Sequence, residues 1–219
     1  MASVSLMSSE LPSDISQQVD KGVSLLKRGG IIAFPTDTVY GLGAAASSPQ
    51  AVARVYEVKK RPANMPLPLL LAHVSQIEDV AQPVTPLARL LAKKFLPGAL
   101  TLVLPKSGSV SDIATAGGMT VAVRIPAHPV PVALIEGLGA PILGTSANLS
   151  GHPSALTAGE VRSQLGGRVD LVIDGGRCPG GRESTIVDVS GEVPIVLREG
   201  AISVAELERA CPDVVFRRA

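Results

Sequence analysis

Short apolar runs bounded by turn signals, alternating with stretches of helical spacing, constrain this chain more than any other feature. Ile31–Phe34, Leu67–Ala72, Leu100–Leu104, Thr120–Ile125, Ala140–Leu143, Val169–Ile173, Thr185–Val189 and Val193–Leu197 are too brief for helices and read as strands. Between them, Ile15, Val19, Val23 and Leu26 recur at helical spacing, with Ser13 or Asp14 available as N-cap and Gly29-Gly30 as the stop. Ser48-Pro49 and Thr85-Pro86 each pair a capping hydroxyl with a proline whose missing N–H costs nothing at the first helical position. They open helices carrying Val52, Val55 and Tyr56, and Leu87, Leu90, Leu91 and Phe95; Pro97-Gly98 ends the second. Pro129–Leu138 reads as a further helix, while Thr157-Ala158-Gly159-Glu160 and Ser203-Val204-Ala205-Glu206 are capping boxes before short ones. Helices alternate with strands early, and Ser190-Gly191-Glu192 joins the last two strands as a hairpin. That order predicts an α/β fold, a mixed parallel and antiparallel sheet covered by helices. One domain is expected over 13–212, with a disordered N-terminal tail over 1–12 and a C-terminal tail over 213–219. The Gly/Ser-rich loop Lys106–Gly118 is long enough for a mobile lid.

Composition narrows the function classes. With 219 residues, 46% of them hydrophobic and 18% charged, the chain can bury a core of its own. No apolar run approaches the roughly 20 residues that cross a bilayer, and Met1–Asp14 has neither the basic start nor the apolar core of a leader, so a cytoplasmic protein is expected. Cys178 and Cys211 form no C-x-x-C pair and read as free thiols. A net charge of +1 and a pI near 7.8 give no global electrostatic case for nucleic acid. Aromatics at 2%, without tryptophan, argue against a base-stacking platform.

Several familiar sites are excluded by their own requirements. No Gly-Lys dipeptide occurs, so there is no Walker A loop, and Gly41-Leu42-Gly43-Ala44-Ala45-Ala46 lacks the last glycine of the dinucleotide fingerprint. Gly144-Thr145-Ser146-Ala147-Asn148 has asparagine where a nucleophile elbow needs its second glycine. His73, His128 and His152 show no zinc spacing, so no protein metal site is expected, and His128 before Pro129 reads as a helix cap.

Polar and basic residues gather at strand ends, where open α/β proteins place their chemistry. Thr36 and Thr38, Arg124, Ser146 and Asn148, Asp174-Gly175-Gly176 and Arg198 all follow strands, and Lys59, Lys60 and Arg61 close a helix. Brought to one crevice, such cations suit a polyphosphate, because fixed guanidinium and ammonium groups stabilise charge on transferring phosphoryl oxygens. Each piece has a plainer reading: Lys-Lys-Arg suits a helix C-terminus through the dipole, Ser146 and Asn148 suit a turn, and Arg124 suits a surface.

In chain order the segments are Pro35-Thr36-Asp37-Thr38-Val39-Tyr40-Gly41-Leu42-Gly43, Lys59-x-Arg61-Pro62, Pro97-Gly98 with Thr101-Leu102, Val123-Arg124-Ile125-Pro126 and Thr145-Ser146-Ala147-Asn148. Asp174-Gly175-Gly176, Ser184-Thr185-Ile186-Val187-Asp188 and Leu197-Arg198-Glu199-Gly200-Ala201 follow. This ordered set resembles the YrdC-like family, the L-threonylcarbamoyladenylate synthases, over about residues 15 to 210. The resemblance implies a twisted mixed sheet with a concave, positively charged cleft. It also implies a nucleotidyltransferase that makes threonylcarbamoyl-AMP and pyrophosphate from L-threonine, bicarbonate or CO2, and ATP with Mg2+. A separate tRNA threonylcarbamoyltransferase would then use the product at tRNA position 37.

Carried over by motif, the resemblance implies that Lys59 and Arg61, with Lys60 beside them, contact the phosphates and that Ser146 and Asn148 hold the nucleotide. Thr120, Ser154 and Arg198 complete the ATP side, and Asn64 reaches the phosphates. Arg124 and Ser184 hold threonine, with Thr36 and Thr38 at its side. Longer relatives append a second domain, and this chain resembles the single-domain form. Glu199 stands where relatives commonly have proline. The alternative is a module that binds double-stranded RNA or tRNA without catalysis of its own. A carbamoyltransferase of the hydrogenase-maturation type is disfavoured because its zinc-type cysteine motifs are missing.

Overall fold

A computed structural model describes residues 11–219. In chain order the elements are α1 (Ser13–Lys27), β1 (Ile31–Phe34), β2 (Gly41–Ala45), α2 (Pro49–Lys59), β3 (Leu69–Leu70), α3 (Ile77–Val80), α4 (Pro86–Phe95), β4 (Leu100–Pro105) and α5 (Asp112–Thr115). They continue as β5 (Thr120–Arg124), α6 (Pro129–Leu138), β6 (Ile142–Ser146), α7 (Ala158–Leu165), β7 (Leu171–Val172), β8 (Thr185–Asp188), β9 (Ile195–Arg198), α8 (Val204–Ala210) and β10 (Arg217–Arg218). The strands form one ten-stranded sheet in the order β10-β9-β8-β4-β5-β3-β6-β2-β1-β7. β1–β7, β3–β5, β4–β8 and β9–β10 pair parallel, and the remaining neighbours pair antiparallel. The expected mixed sheet is therefore present.

Both faces of the sheet are covered, and the period-two alternation of the strands shows it. Ile31 and Ala33 enter one core while Ile32 and Phe34 enter the other; Leu69 and Leu71 separate from Leu70 and Ala72 in the same way. The first core packs under α2, α4, α7 and α8, the second under α1 and α6. Apolar runs without polar interruption follow from burial on two sides. Among the described residues, no helix is long and apolar enough to cross a membrane.

Several elements differ from the expectation for local reasons. β2, read only as a glycine-rich motif, is a central strand between β1 and β6. A Cβ at Gly43 would meet Ile142 Cγ2 at 2.6 Å and the Leu143 carbonyl at 3.1 Å, so glycine there permits a close approach that alternation rules do not detect. The strand expected over Leu67–Ala72 contracts to Leu69–Leu70; on its N-terminal side Pro66 and Pro68 have no N–H to donate. Pro12, not Ser13 or Asp14, stands at the α1 N-cap, without a side-chain cap bond. Thr157 caps α7, but Glu160 accepts from the Leu156 N–H, so only half of that box forms. The box at Ser203 and the His128 cap do form.

The Lys106–Gly118 segment carries α5, buries Ala114, and is tied to Asp79 by Ser107 and Ser109 hydroxyls at 2.9 and 2.7 Å. Within the C-terminal stretch expected as a tail, Phe216 is buried and β10 extends the sheet beside β9. The N-terminal tail expected over 1–12 lies, apart from its last two residues, outside the described residues. Cys178 and Cys211 are buried free thiols.

Candidate active site

Register explains why residues distant in sequence meet. Gly41 at the start of β2 lies opposite Ser146 at the end of β6, and Leu100 at the start of β4 lies opposite Thr185 at the start of β8. β4 runs antiparallel to β5, so Arg124 at the β5 terminus reaches the same end of the sheet. The β1–β2 loop, the α2 C-terminus, the β6–α7 loop and the β9 terminus converge there.

One half of the site is built around Arg124, which is buried. Its Nε donates to the Gly98 carbonyl at 3.0 Å, Nη1 to Thr38 Oγ1 at 2.9 Å, and Nη2 to Asp37 Oδ1 at 2.7 Å. Burial pushes this guanidinium below its usual value and Asp37 opposes the shift; it stays charged, as arginine does in proteins. Asp37 also accepts the Ala127 N–H at 3.1 Å, bracing the β1–β2 loop against the chain after β5. The Thr36 and Thr38 hydroxyls lie 3.0 Å apart, and Thr36 donates to the Val39 carbonyl. Ser184 Oγ lies 2.8 Å from Thr101 Oγ1. The expected Thr36, Thr38 and Arg124 are thus one hydrogen-bonded unit.

The other half is organised by Lys59. The residue is 2% exposed, and its ammonium donates to the Ser146 carbonyl, to the Asn148 carbonyl at 2.8 Å and to Asn148 Oδ1 at 3.3 Å. Its own carbonyl accepts the Ser150 N–H at 2.9 Å. Lys59 therefore clamps the turn that carries Ser146 and Asn148. Burial, and secondarily Arg61, lowers its pKa from 10.5 to about 8. Arg61 is held by the carbonyls of Met65 and Pro66 at 3.2 and 3.1 Å, and the Asn148 amide by those of Leu149 and His152 at 2.9 and 2.7 Å.

Arg198 lies where the halves meet. Its Nη2 reaches the Ser184 carbonyl at 2.9 Å and Ser184 Oγ at 3.3 Å, and its charge is felt at both Arg124 and Arg61.

Not every expected residue joins the cluster. Lys60 caps α2 in a left-handed conformation, φ 52°, and its exposed side chain lines a neighbouring hollow with Tyr56, Arg61, Asp112 and Ile113. Asn64 is exposed on the following loop. Thr120 opens β5, about 13 Å of strand from Arg124 at the other end. His73 pairs with Glu136 of α6. Sequence reasoning missed Glu183, which accepts from Ser154 Oγ at 2.7 Å and pairs with Arg198. Burial alone would raise its carboxyl, but Ser154, Arg198, Ser146 and Lys59 together hold it below the usual range. A carboxylate next to Ser184 was the available signal.

The Sua5/YciO/YrdC family model, described as telomere recombination, matches residues 24–200. Threonylcarbamoyl-AMP synthase of Bacillus subtilis is 45% identical over 192 residues, covering 87% of this chain and 56% of that protein. A putative threonylcarbamoyl-AMP synthase of Mycobacterium tuberculosis is 40% identical over 193 residues, covering 88% of each chain. Among solved structures, P. abyssi Sua5 complexed with L-threonine matches with a TM-score of 0.89 at 40% identity, over 95% of this chain and 61% of that one. The chain thus spans about half the length of the B. subtilis relative.

Proposed function

The chain belongs to the Sua5/YciO/YrdC family, and from that premise we propose that it is a threonylcarbamoyl-AMP synthase, a nucleotidyltransferase acting on L-threonine, bicarbonate or CO2, and ATP. The observation that carries this reading is the contact of Arg198 with Ser184, because it makes the Arg124 half and the Lys59 half share a wall. Two substrates bound in the two halves would meet there. Threonine belongs in the Arg124 half, with its carboxylate drawn to fixed guanidinium donors and its hydroxyl within the Thr36–Thr38 and Ser184 hydroxyl set. ATP belongs in the half formed by Arg61, Ser146, Asn148, Ser154 and Arg198.

The reaction needs no covalent enzyme intermediate. The neutral threonine amine adds to CO2 and gives up one N–H proton to solvent as the carbamate forms; a carbamate oxygen then attacks the α-phosphorus, and pyrophosphate leaves as the bond from that phosphorus to the bridging oxygen breaks. Positioning and charge neutralisation supply the rate. Lys59 acts through the 146–148 turn that it holds. Mg2+ would be brought by the ATP phosphates: among the described residues no group of three or more His, Cys, Asp or Glu could cage it, and Mg2+ is ordinarily held by phosphates, waters and few protein ligands. It would neutralise phosphate charge. The product would pass to a tRNA threonylcarbamoyltransferase for position 37, in the cytoplasm.

Pyrophosphate release from ATP, Mg2+ and bicarbonate, with and without L-threonine, tests the reading. Threonine-dependent release is expected; folded protein that releases none and binds tRNA with a steep salt dependence would favour the RNA-binding alternative.

A further inference from the structure

Glu183 occupies two groups that the reading above assigns to the nucleotide. One carboxylate oxygen accepts from Ser154 Oγ at 2.7 Å and the other pairs with Arg198 Nη1. The plane of the Arg198 guanidinium does not depend on that pair, because Nε and Nη2 already donate to the Ser184 carbonyl at 3.1 and 2.9 Å. Nη1 is therefore the edge on which an incoming anion would land, and the carboxylate stands on it. The main chain at Glu183 is fixed, with its carbonyl accepting the Ala201 N–H at 2.8 Å. Its side chain is one third exposed, and that of Arg198 somewhat more, so the pair can open by side-chain rotation alone.

We propose that Glu183 is a resident anion: in the free protein it takes the place of a phosphate on Arg198 and Ser154, and a polyphosphate ligand displaces it. The proposal rests on the assignment of this half to the nucleotide. Without a counter-charge, Lys59, Arg61 and Arg198 would face one another across a partly desolvated space, and both Lys59 and Arg61 feel Glu183. The carboxylate relieves that repulsion while the site is empty. It also keeps weak anions out, since any ligand that uses Nη1 must first break the pair. A triphosphate gains compensating contacts along the rest of the half; an isolated phosphate does not.

The test is calorimetric titration of wild type and Glu183→Gln with metal-free tripolyphosphate and with orthophosphate, both proteins being checked by thermal melting. Glutamine keeps the shape and the acceptor for Ser154 but removes the charge. Tripolyphosphate should bind roughly 3- to 10-fold more tightly to the variant, a gain that shrinks at high salt, and orthophosphate binding should become measurable. A second variant, Glu183→Ala, should shift affinity in the same direction. If Glu183 instead serves only to hold Arg198 and Ser154, both variants will bind tripolyphosphate no better than wild type or worse, and the proposal fails while the nucleotide site stands. Folded wild type that binds no polyphosphate would overturn the nucleotide assignment and the proposal together.

Discussion

Lys59 and Arg61 stand two positions apart in one motif, yet they meet different fates. Arg61 is partly exposed and anchored by two carbonyls, so it can turn its charge toward a ligand. Arg61→Ala should lower kcat/KM by about 100-fold or more, the scale of losing one charge-stabilising donor, while the melting temperature stays close to wild type. Lys59 is spent on the turn at 146–148, and Lys59→Met would strip the Asn148 carbonyl of the ammonium donor while the Ser146 carbonyl keeps the Asn148 N–H, at a cost of about 1–3 kcal/mol measured by urea unfolding. Its titration gives a second readout. The folded value of about 8 lies below the ordinary 10.5, so between the two the unfolded chain holds more protons on this side chain. The burden of burying the charge is full below pH 8 and is relieved as pH rises toward 10.5. Wild-type stability should therefore rise relative to Lys59→Met across that window; parallel curves would contradict the shift. The motif identified both residues from sequence. It could not show that Lys59 donates to partners 87 and 89 residues away, nor that Glu183 meets Ser154 and Arg198 across gaps of 29 and 15.

Elements whose signals are local were legible in the sequence: α2 and α4 from a hydroxyl followed by proline, α8 from its capping box, and the β8–β9 hairpin from its turn. Those defined by long-range packing were not. β2 carries Gly41 and Gly43 where Phe34, Ile142 and Leu143 of the adjacent strands press against it, and the loop after β9 is shaped in the same way. A Cβ on Gly200 would stand 2.2 Å from the Glu183 carbonyl oxygen and 2.6 Å from the Ser184 carbonyl carbon. Gly200→Ala should cost about 1–3 kcal/mol, a fall in melting temperature of roughly 2–12 °C for a chain of this size, and should weaken nucleotide binding by pushing Arg198 away. Gly191, whose Cβ would meet nothing within 4 Å, is the control: Gly191→Ala should leave both quantities near wild type. Equal effects at the two glycines would refute the close-approach argument. Ser203→Ala should cost about 1 kcal/mol through the lost α8 cap, seen by thermal melting, with binding retained.

At the scale of the molecule, a mixed sheet with helices on both faces could be reasoned from the alternation of elements, whereas the strand order could not. The order matters because it sets β8 beside β4 and β2 beside β6, carrying Ser184 and Ser146 to one end of the sheet where Arg198 joins the two halves. Under the proposed function, carbamate and ATP would react across that shared wall. The most direct measurement is mass spectrometry of the nucleotide product formed promptly from ATP, Mg2+, L-threonine and 13C-bicarbonate. A threonylcarbamoyl-AMP species that carries the heavy carbon, and is missing when threonine is omitted, is the predicted result. An AMP-containing product without the labelled carbon, or nucleotide turnover indifferent to threonine, would contradict the account.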